Sequence, residues 1–220
     1  MTLQKNPIRL MCVLHCRMCF DTLRRYCEAQ ADFELVCADN REIGDVSTIS
    51  EYQPDVLVLD LDLPDDVLRM AAQVRRQSES VRIAITGAKW TDLVLNKALA
   101  AGVHGLLLKS ESTEALFEHF RRIARGEVRI SAGLRERLRY DPQSEQYVLA
   151  GGGPLTSLTK QQLEILQLLA CGDSLKMVAS KLKLSKKSID GHKYRMMRKL
   201  NVKDRVLLSR LAIREGLIQP

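Results

Sequence analysis

Residues Pro54 to Pro64 read PDVLVLDLDLP: four consecutive apolar residues, Val56 to Leu59, run into Asp60 and end two residues beyond a second aspartate at a proline. An apolar run of strand length without period-two alternation marks a strand covered on both faces, the habit of parallel sheets. Similar runs lie on either side, at Ile8 to Leu14, Phe33 to Ala38, Ile83 to Thr86 and Gly105 to Leu108. Between them helical stripes recur near Met18 to Ala29, Ile43 to Tyr52, Asp65 to Gln77, Asp92 to Ala101 and Thr113 to Arg125. The last of these carries Ala115, Leu116, Phe120, Ile123 and Ala124 on one side. Strands alternating with helices predict an α/β domain over residues 6–125, with a five-stranded, parallel, doubly wound sheet and its working residues at the carboxyl ends of the strands.

Those ends are where polar residues fall. Asp60 closes the third strand, Thr86 closes the fourth and Lys109 follows the fifth. Parallel strands bring the three to one rim, where a carboxylate can meet a phosphoryl donor while a hydroxyl and an ammonium neutralise its oxygens.

Through PDVLVLDLDLP, AITG (Ala84 to Gly87) and GLLLKS (Gly105 to Ser110), residues 6–125 resemble the receiver domain of two-component response regulators, a flavodoxin-like fold. The resemblance implies that Asp60 is the phosphoacceptor, Thr86 the switch hydroxyl and Lys109 the lysine that contacts the acyl phosphate. It also implies an acidic pair at the end of strand one to hold Mg²⁺. This chain has Leu14 and His15 there, and no Asp or Glu occurs before Asp21. Mg²⁺ requires hard oxygen donors, which neither leucine nor imidazole supplies. Asp62 lies two residues past the acceptor, where the family usually offers the metal a carbonyl. Leu106 stands where receivers usually carry a switch aromatic, and the glycines that normally follow strand three are missing around Pro64 to Val67.

The expectation is therefore an atypical receiver, controlled independently of ordinary phosphorylation and serving as a dimerisation or regulatory surface. The alternative is a conventional regulator, phosphorylated on Asp60 by a sensor histidine kinase. Asp60-Leu61-Asp62 also resembles the opening of haloacid-dehalogenase-like phosphatases, but the Thr or Val after the second Asp and the later acidic pair are absent, so no enzyme activity is expected.

Six cysteines occur, at positions 12, 16, 19, 27, 37 and 171. Five fall in the apolar or helical segments of the N-terminal half, which is not a secreted disulfide framework. Cys12-x-x-His15-Cys16-x-x-Cys19 has a spacing that would suit Zn²⁺ or an iron–sulfur centre. Cys12 belongs to a buried strand, however, whereas Cys16 and Cys19 begin a helix. Small buried hydrophobes are the expected reading of these thiols, with metal binding or redox sensing as the alternative. Neither a metal nor a cofactor is expected.

Charge divides the chain further. Residues 1–125 carry 16 Lys and Arg against 18 Asp and Glu, whereas residues 151–220 carry 14 against 5. The basic excess is confined to the last third, the arrangement of a module that gains affinity by displacing counterions from a polyanion. Residues 126–154 read as a linker, punctuated by Gly126, Pro142, Gly151 to Gly153 and Pro154, in which Leu138 to Tyr140 and Gln146 to Leu149 suggest a small hairpin. No apolar run approaches the roughly 20 residues of a membrane span, and no signal peptide is evident, so a cytoplasmic location is expected.

Residues 155–220 read as four helices. Thr159 and Gln162 form a capping box ahead of Leu163, Leu166, Leu169 and Ala170, and Cys171-Gly172 stops the helix. Ser174 caps a short helix to Leu182, Ser185 caps the next, which runs to about Leu200, and a fourth spans about Asp204 to Glu215. In the third, Ile189, His192 or Lys193, Met196 and Leu200 form the inner stripe and leave Lys187, Asp190, Gly191, Tyr194 and Arg198 projecting outward, flanked by Lys186, Lys193 and Arg195. A capped, basic second helix after a tight break is a helix-turn-helix, able to enter the major groove.

This segment resembles the LuxR-type output domain of NarL/FixJ response regulators, through LTKQQLEILQLLACGDSLKMVASKL and SKKSIDGHKYRMMRKLNVKDR. The resemblance implies that Asp190, Gly191 and Tyr194 face bases, and that Lys176, Lys186, Lys187, Ser188, Lys193 and Arg195 contact phosphates. It implies a homodimer on double-stranded DNA, paired through the last helix. Asp190 and Gly191 depart from the family's commoner basic and apolar residues. His192 is expected to bond backbone or phosphate rather than act in catalysis, since no nucleophile adjoins it.

Overall fold

The computed structural model describes residues 6–36, 49, 51–64, 66–151 and 153–218. The chain divides into two compact units, Met1–Trp90 with Lys97–Val148, and Thr91–Asn96 with Leu149–Pro220.

The first unit is built on a parallel sheet. Its strands are β1 (Ile8–Val13), β2 (Phe33–Leu35), β3 (Val56–Asp60), β4 (Arg82–Gly87), β5 (Gly105–Leu108) and β6 (Arg129–Ile130), in the spatial order β2-β1-β3-β4-β5-β6. Every residue of β3 is buried, as its unbroken apolar run requires of a central strand packed on both faces. Its helices are α1 (Arg17–Glu28), α2 (Val67–Gln77), α3 (Asp92–Ala100), of which the residues from Lys97 belong to this unit, α4 (Thr113–Ala124) and α5 (Ala132–Arg135). Phe33, Phe117 and Phe120 pack edge to face beneath α4, with centroids 4.8 and 5.5 Å apart, and join Leu10, Val58 and Ile123 in the core.

Helix α2 starts after Asp66, whose carboxylate accepts from the Arg69 amide at 3.1 Å as the cap, and Asp65 lies outside the described residues. One expectation shifts. The sheet has six strands, not five. Arg129 donates its amide to the His104 carbonyl at 2.8 Å and Ser131 to that of Leu106 at 3.0 Å, while the buried Ser131 hydroxyl accepts from the Leu108 amide at 2.9 Å. Residues read as the start of a linker thus continue the sheet. The expected helix over Ile43 to Tyr52 lies outside the described residues except for Ile49, Glu51 and Tyr52, which are helical, and the expected end of β2 at Ala38 lies outside them too.

Strands β7 (Leu138–Asp141) and β8 (Gln146–Leu149) form a separate hairpin. The Asp141 carboxylate shapes its turn, accepting from the Gln143 amide at 3.2 Å and the Ser144 hydroxyl at 2.8 Å.

The second unit carries a 3₁₀ turn (Pro154–Ser157) and helices α6 (Lys160–Ala170), α7 (Leu175–Leu182), α8 (Lys186–Lys199) and α9 (Arg205–Arg214). Thr159 and Gln162 close the capping box in both directions. Lys183, at φ 54°, turns the chain sharply out of α7 into α8. Ile165, Leu166, Val178, Ile189 and Met196 are fully buried, each contributing about 1.5–3 kcal/mol of apolar transfer energy. Arg205 locks α9 onto the end of α6 by donating to the Leu169 and Asp173 carbonyls at 2.8 and 2.9 Å.

Candidate functional site

Register places the first site. Asp60 is the direct partner of Thr86 across β3 and β4, and the Lys109 amide, just past β5, donates to the Gly87 carbonyl at 3.1 Å. The three polar residues expected at the rim are therefore brought together. Gly87 keeps the rim passable for its neighbours, since a Cβ there would lie 2.6 Å from Leu61 Cδ1 and 3.1 Å from the Trp90 ring nitrogen.

The Asp60 carboxylate is wholly buried and fully engaged. Its Oδ2 accepts from the His15 amide at 3.0 Å, and its Oδ1 accepts from the Asp62 amide at 2.9 Å and pairs with Lys109 Nζ at 2.5 Å. Lys109 also reaches Asp62 Oδ2 at 2.6 Å, so one ammonium bridges two carboxylates. Burial works against the charged lysine, but the hydrogen bonds to Asp60 and Asp62 outweigh it and hold its pKa above the ordinary value. The Thr86 hydroxyl sits 3.5 Å from the Leu59 carbonyl, a long contact. At the end of β1, Leu14 is buried, and His15 is exposed and offers Asp60 only its backbone N–H.

The expectation of small buried hydrophobes holds for two of the described cysteines. Cys12 and Cys27 are buried, whereas Cys16 and Cys19 are half-buried and Cys171 is exposed; Cys37 lies outside the described residues. Among the described residues no group of three His, Cys, Asp or Glu is placed to hold a metal ion.

The second site is the surface of α7 and α8. Ser185 caps α8 by accepting from the Ser188 amide at 3.0 Å, and Lys186 and Lys187 follow it into solvent. Lys176, Asp190 and Arg195 are exposed, Ser188, Gly191 and Lys193 are half-buried, and the Tyr194 ring is 67 % exposed. An aromatic ring so open on a helix whose opposite face is sealed by Ile189 and Met196 is available to a partner. Asp190 and Lys193 pair at 2.8 Å, and the lysine holds the Asp190 carboxyl below its usual range. His192 sits under this surface with its Nδ1 enclosed and without a hydrogen-bond partner among the described residues. Burial, and then Arg195, lower its pKa and favour the neutral ring.

Several residues that shape these sites carry no sequence signal. The His15 amide and the Lys109 bridge to Asp62 follow from register alone, and Lys199, which donates to the Ser157 carbonyl at 2.8 Å and the Gln162 side chain at 3.3 Å, reads in sequence as one more solvated base.

Residues 156–212 match the family model described as bacterial regulatory proteins, luxR family. The oxygen regulatory protein NreC of Staphylococcus epidermidis is 30 % identical over 195 residues, covering 86 % of this chain and 89 % of that protein. A nitrate/nitrite response regulator protein homolog of Haemophilus influenzae is 29 % identical over 185 residues, covering 84 % and 86 %. The fold is shared with RcsB from Salmonella enterica serovar Typhimurium, solved bound to promoter rprA in the presence of the phosphomimetic BeF3-, at a TM-score of 0.60, 19 % identity and coverage of 94 % and 98 %. It is shared too with the response regulator ChrA of a heme-sensing two-component system, at a TM-score of 0.52, 23 % identity and coverage of 97 % and 100 %. Among the described residues no helix is long and apolar enough to cross a membrane.

Proposed function

This chain belongs to the NarL/FixJ family of DNA-binding response regulators, a family of transcription regulators and not of enzymes, and we propose that its receiver is atypical within that family: DNA binding through α8 is controlled without ordinary Mg²⁺-dependent phosphorylation of Asp60. In this reading the protein works in the cytoplasm as a homodimer on double-stranded DNA. The base-facing residues are Asp190, Gly191 and Tyr194, and the phosphate contacts are Lys176, Lys186, Lys187, Ser188, Lys193 and Arg195. Lysines in the first turn of α8 add their charge to the positive end of the helix dipole, which suits a phosphate.

The observation that carries the reading is the end of β1: the positions expected to supply an acidic pair contribute a buried Leu14 and, from His15, a backbone N–H to Asp60. The carboxylates at this rim are Asp60 and Asp62, bridged by Lys109. This donor set does not fit Mg²⁺, which needs a near-octahedral shell of oxygens. The N-terminal unit then acts on the output domain through its surface.

A second reading is favoured by the convergence of Asp60, Thr86 and Lys109 on one rim: a conventional regulator phosphorylated on Asp60 by a sensor histidine kinase. Incubation with acetyl phosphate and Mg²⁺ separates the two, with the Asp60→Asn variant as control. The atypical receiver takes up no Asp60-dependent phosphate, and fragments selected from random DNA bind equally with and without the phosphodonor. Stoichiometric labelling lost in Asp60→Asn overturns it in favour of the second reading.

A further inference from the structure

We propose that Cys16 and Cys19 are a peroxide-reactive dithiol beside the Asp60 pocket, oxidised to an intramolecular disulfide. Cys16 immediately precedes α1 and Cys19 is the third residue within it. The two thiols are in hydrogen-bond contact across the first turn, and a disulfide asks their Cβ atoms to close to roughly 3.5–4.5 Å. Both thiols are half-buried, and Cys19 with Met18 lines a cavity of about 230 Å³ that also touches Leu14, Thr86 and Lys109. The cavity leads to Cys19, and Cys16 is reached from its own partly exposed side, whereas Cys12 and Cys27 are buried; burial pushes the Cys27 thiol up to about 11.

The surroundings split the pair into an attacking and a resolving thiol. The Cys19 amide first, then the Cys19 thiol, lower the Cys16 thiol against the opposing effect of burial, and the Met18 amide and then Lys109 lower it further. Burial, then the Cys16 thiol and its charge, raise Cys19, and of the nearby pocket groups Asp60 raises it further while Lys109 opposes. A thiolate at a helix N-terminus beside a cation is the form that reacts with peroxides, and a protonated neighbour is the form that waits to resolve it.

The Cys16 thiolate attacks the terminal oxygen of a hydroperoxide. The S–O bond forms as the O–O bond breaks, and the departing alkoxide or hydroxide takes a proton from solvent. Cys19 Sγ then attacks the Cys16 sulfenic sulfur. The S–S bond forms, the S–O bond breaks, and hydroxide leaves as water with the Cys19 proton. Two thiols are oxidised by two electrons in all, and one hydroperoxide is reduced to an alcohol, or to water, and a further water. The new bond lies one residue from His15, whose amide holds Asp60.

Trypsin reads the outcome directly, because Arg17 lies between the two cysteines. The reduced full-length protein is treated with hydrogen peroxide, alkylated, and digested without reductant. Peptides 10–17 and 18–24 are expected to run joined, lighter by two hydrogens than their sum, with fragmentation placing the bridge on Cys16 rather than on Cys12, which the first peptide also carries, and with Cys16 consumed at least about tenfold faster than the exposed Cys171. Cys19→Ser is expected to leave Cys16 as a sulfenic acid that dimedone traps, and Cys16→Ser to leave Cys19 unlabelled. Oxidation of Cys171 as fast as Cys16, a Cys12–Cys16 linkage in its place, or equal linkage rates in guanidinium-unfolded protein would each overturn the proposal. The test involves neither DNA nor phosphodonor, so its failure leaves the reading of the receiver untouched.

Discussion

The rim of the parallel sheet and the outer face of α8 spend charge in opposite ways. At the rim, Asp60, Asp62 and Lys109 are turned on one another and on backbone amides, so that the buried carboxylate has every oxygen answered from within. On the outer face of α8 Asp190 and Lys193 answer each other, while Lys186, Lys187, Arg195 and Tyr194 face solvent. A buried charge left alone costs several kcal/mol, so evolution can keep one only by satisfying it; an exposed charge costs little and can wait for a partner. The contrast distinguishes a site whose present contacts are internal from one whose contacts are still to be made.

Removing Lys109 probes the inward side hardest. Lys109→Met should destabilise the N-terminal unit by about 3 kcal/mol in urea unfolding, since it strands a buried carboxylate that keeps only its two amides. An unchanged midpoint would mean that the amides suffice and that the rim does not depend on the ion pair.

The next effect is acid sensitivity. His104 is buried, and burial, aided by Arg75 and Arg82, lowers its pKa to about 4. Its Nδ1 accepts from the Ile83 amide at 3.2 Å, which needs a neutral ring. The unfolded chain takes up the proton first as pH falls below 6.5, so stability is lost downward from there and the loss levels off near pH 4. It should reach about 2 kcal/mol by pH 5. His104→Asn, which keeps an acceptor and removes the titration, should flatten that limb when unfolding is followed across pH 4–7; an unaltered limb would place the sensitivity elsewhere.

On the outward side, Lys186→Glu with Lys187→Glu should leave unfolding nearly unchanged and weaken DNA binding by at least about tenfold, while the dependence of log affinity on log salt loses about two counterions. A salt titration by fluorescence anisotropy would show it, and an unaltered slope would remove both lysines from the interface. The smallest change expected is from Gly191. A Cβ there would meet only Arg195 Nη1, at an ordinary 3.6 Å, so Gly191→Ala should stabilise the second unit by about 0.5–1 kcal/mol. If DNA affinity falls nonetheless, the bare backbone at that position serves close approach to the duplex.

The two regions also differ in how far they could be read in advance. In the second unit the order of caps and stripes, Thr159 with Gln162, Ser174, Ser185 and then Ile189 with Met196, is local chemistry, and the helices start at those caps. In the first unit the five long apolar runs place their strands, but what completes the site is nonlocal. The Asp60 bond to the His15 amide spans 45 residues and the Lys109 reach to Asp62 spans 47, distances over which no pattern in the chain speaks. Strand β6 is only two residues long, too short for any periodicity, and Ser131 reads as an ordinary linker serine although it is fully buried. The orphaned Nδ1 of His192 follows from three-dimensional packing alone.

Strand β6 has a practical consequence for dividing the molecule. A fragment ended at Arg125, where the fifth helix-strand repeat finishes, would strip β5 of its neighbour and open a row of unpaired backbone donors and acceptors along Gly105–Leu108. Such a bare edge invites a second copy to add on, so that fragment should self-associate through an edge that β6 covers in the longer chain. A fragment carried through Leu149 keeps the edge covered, and its association state is the one that bears on the receiver.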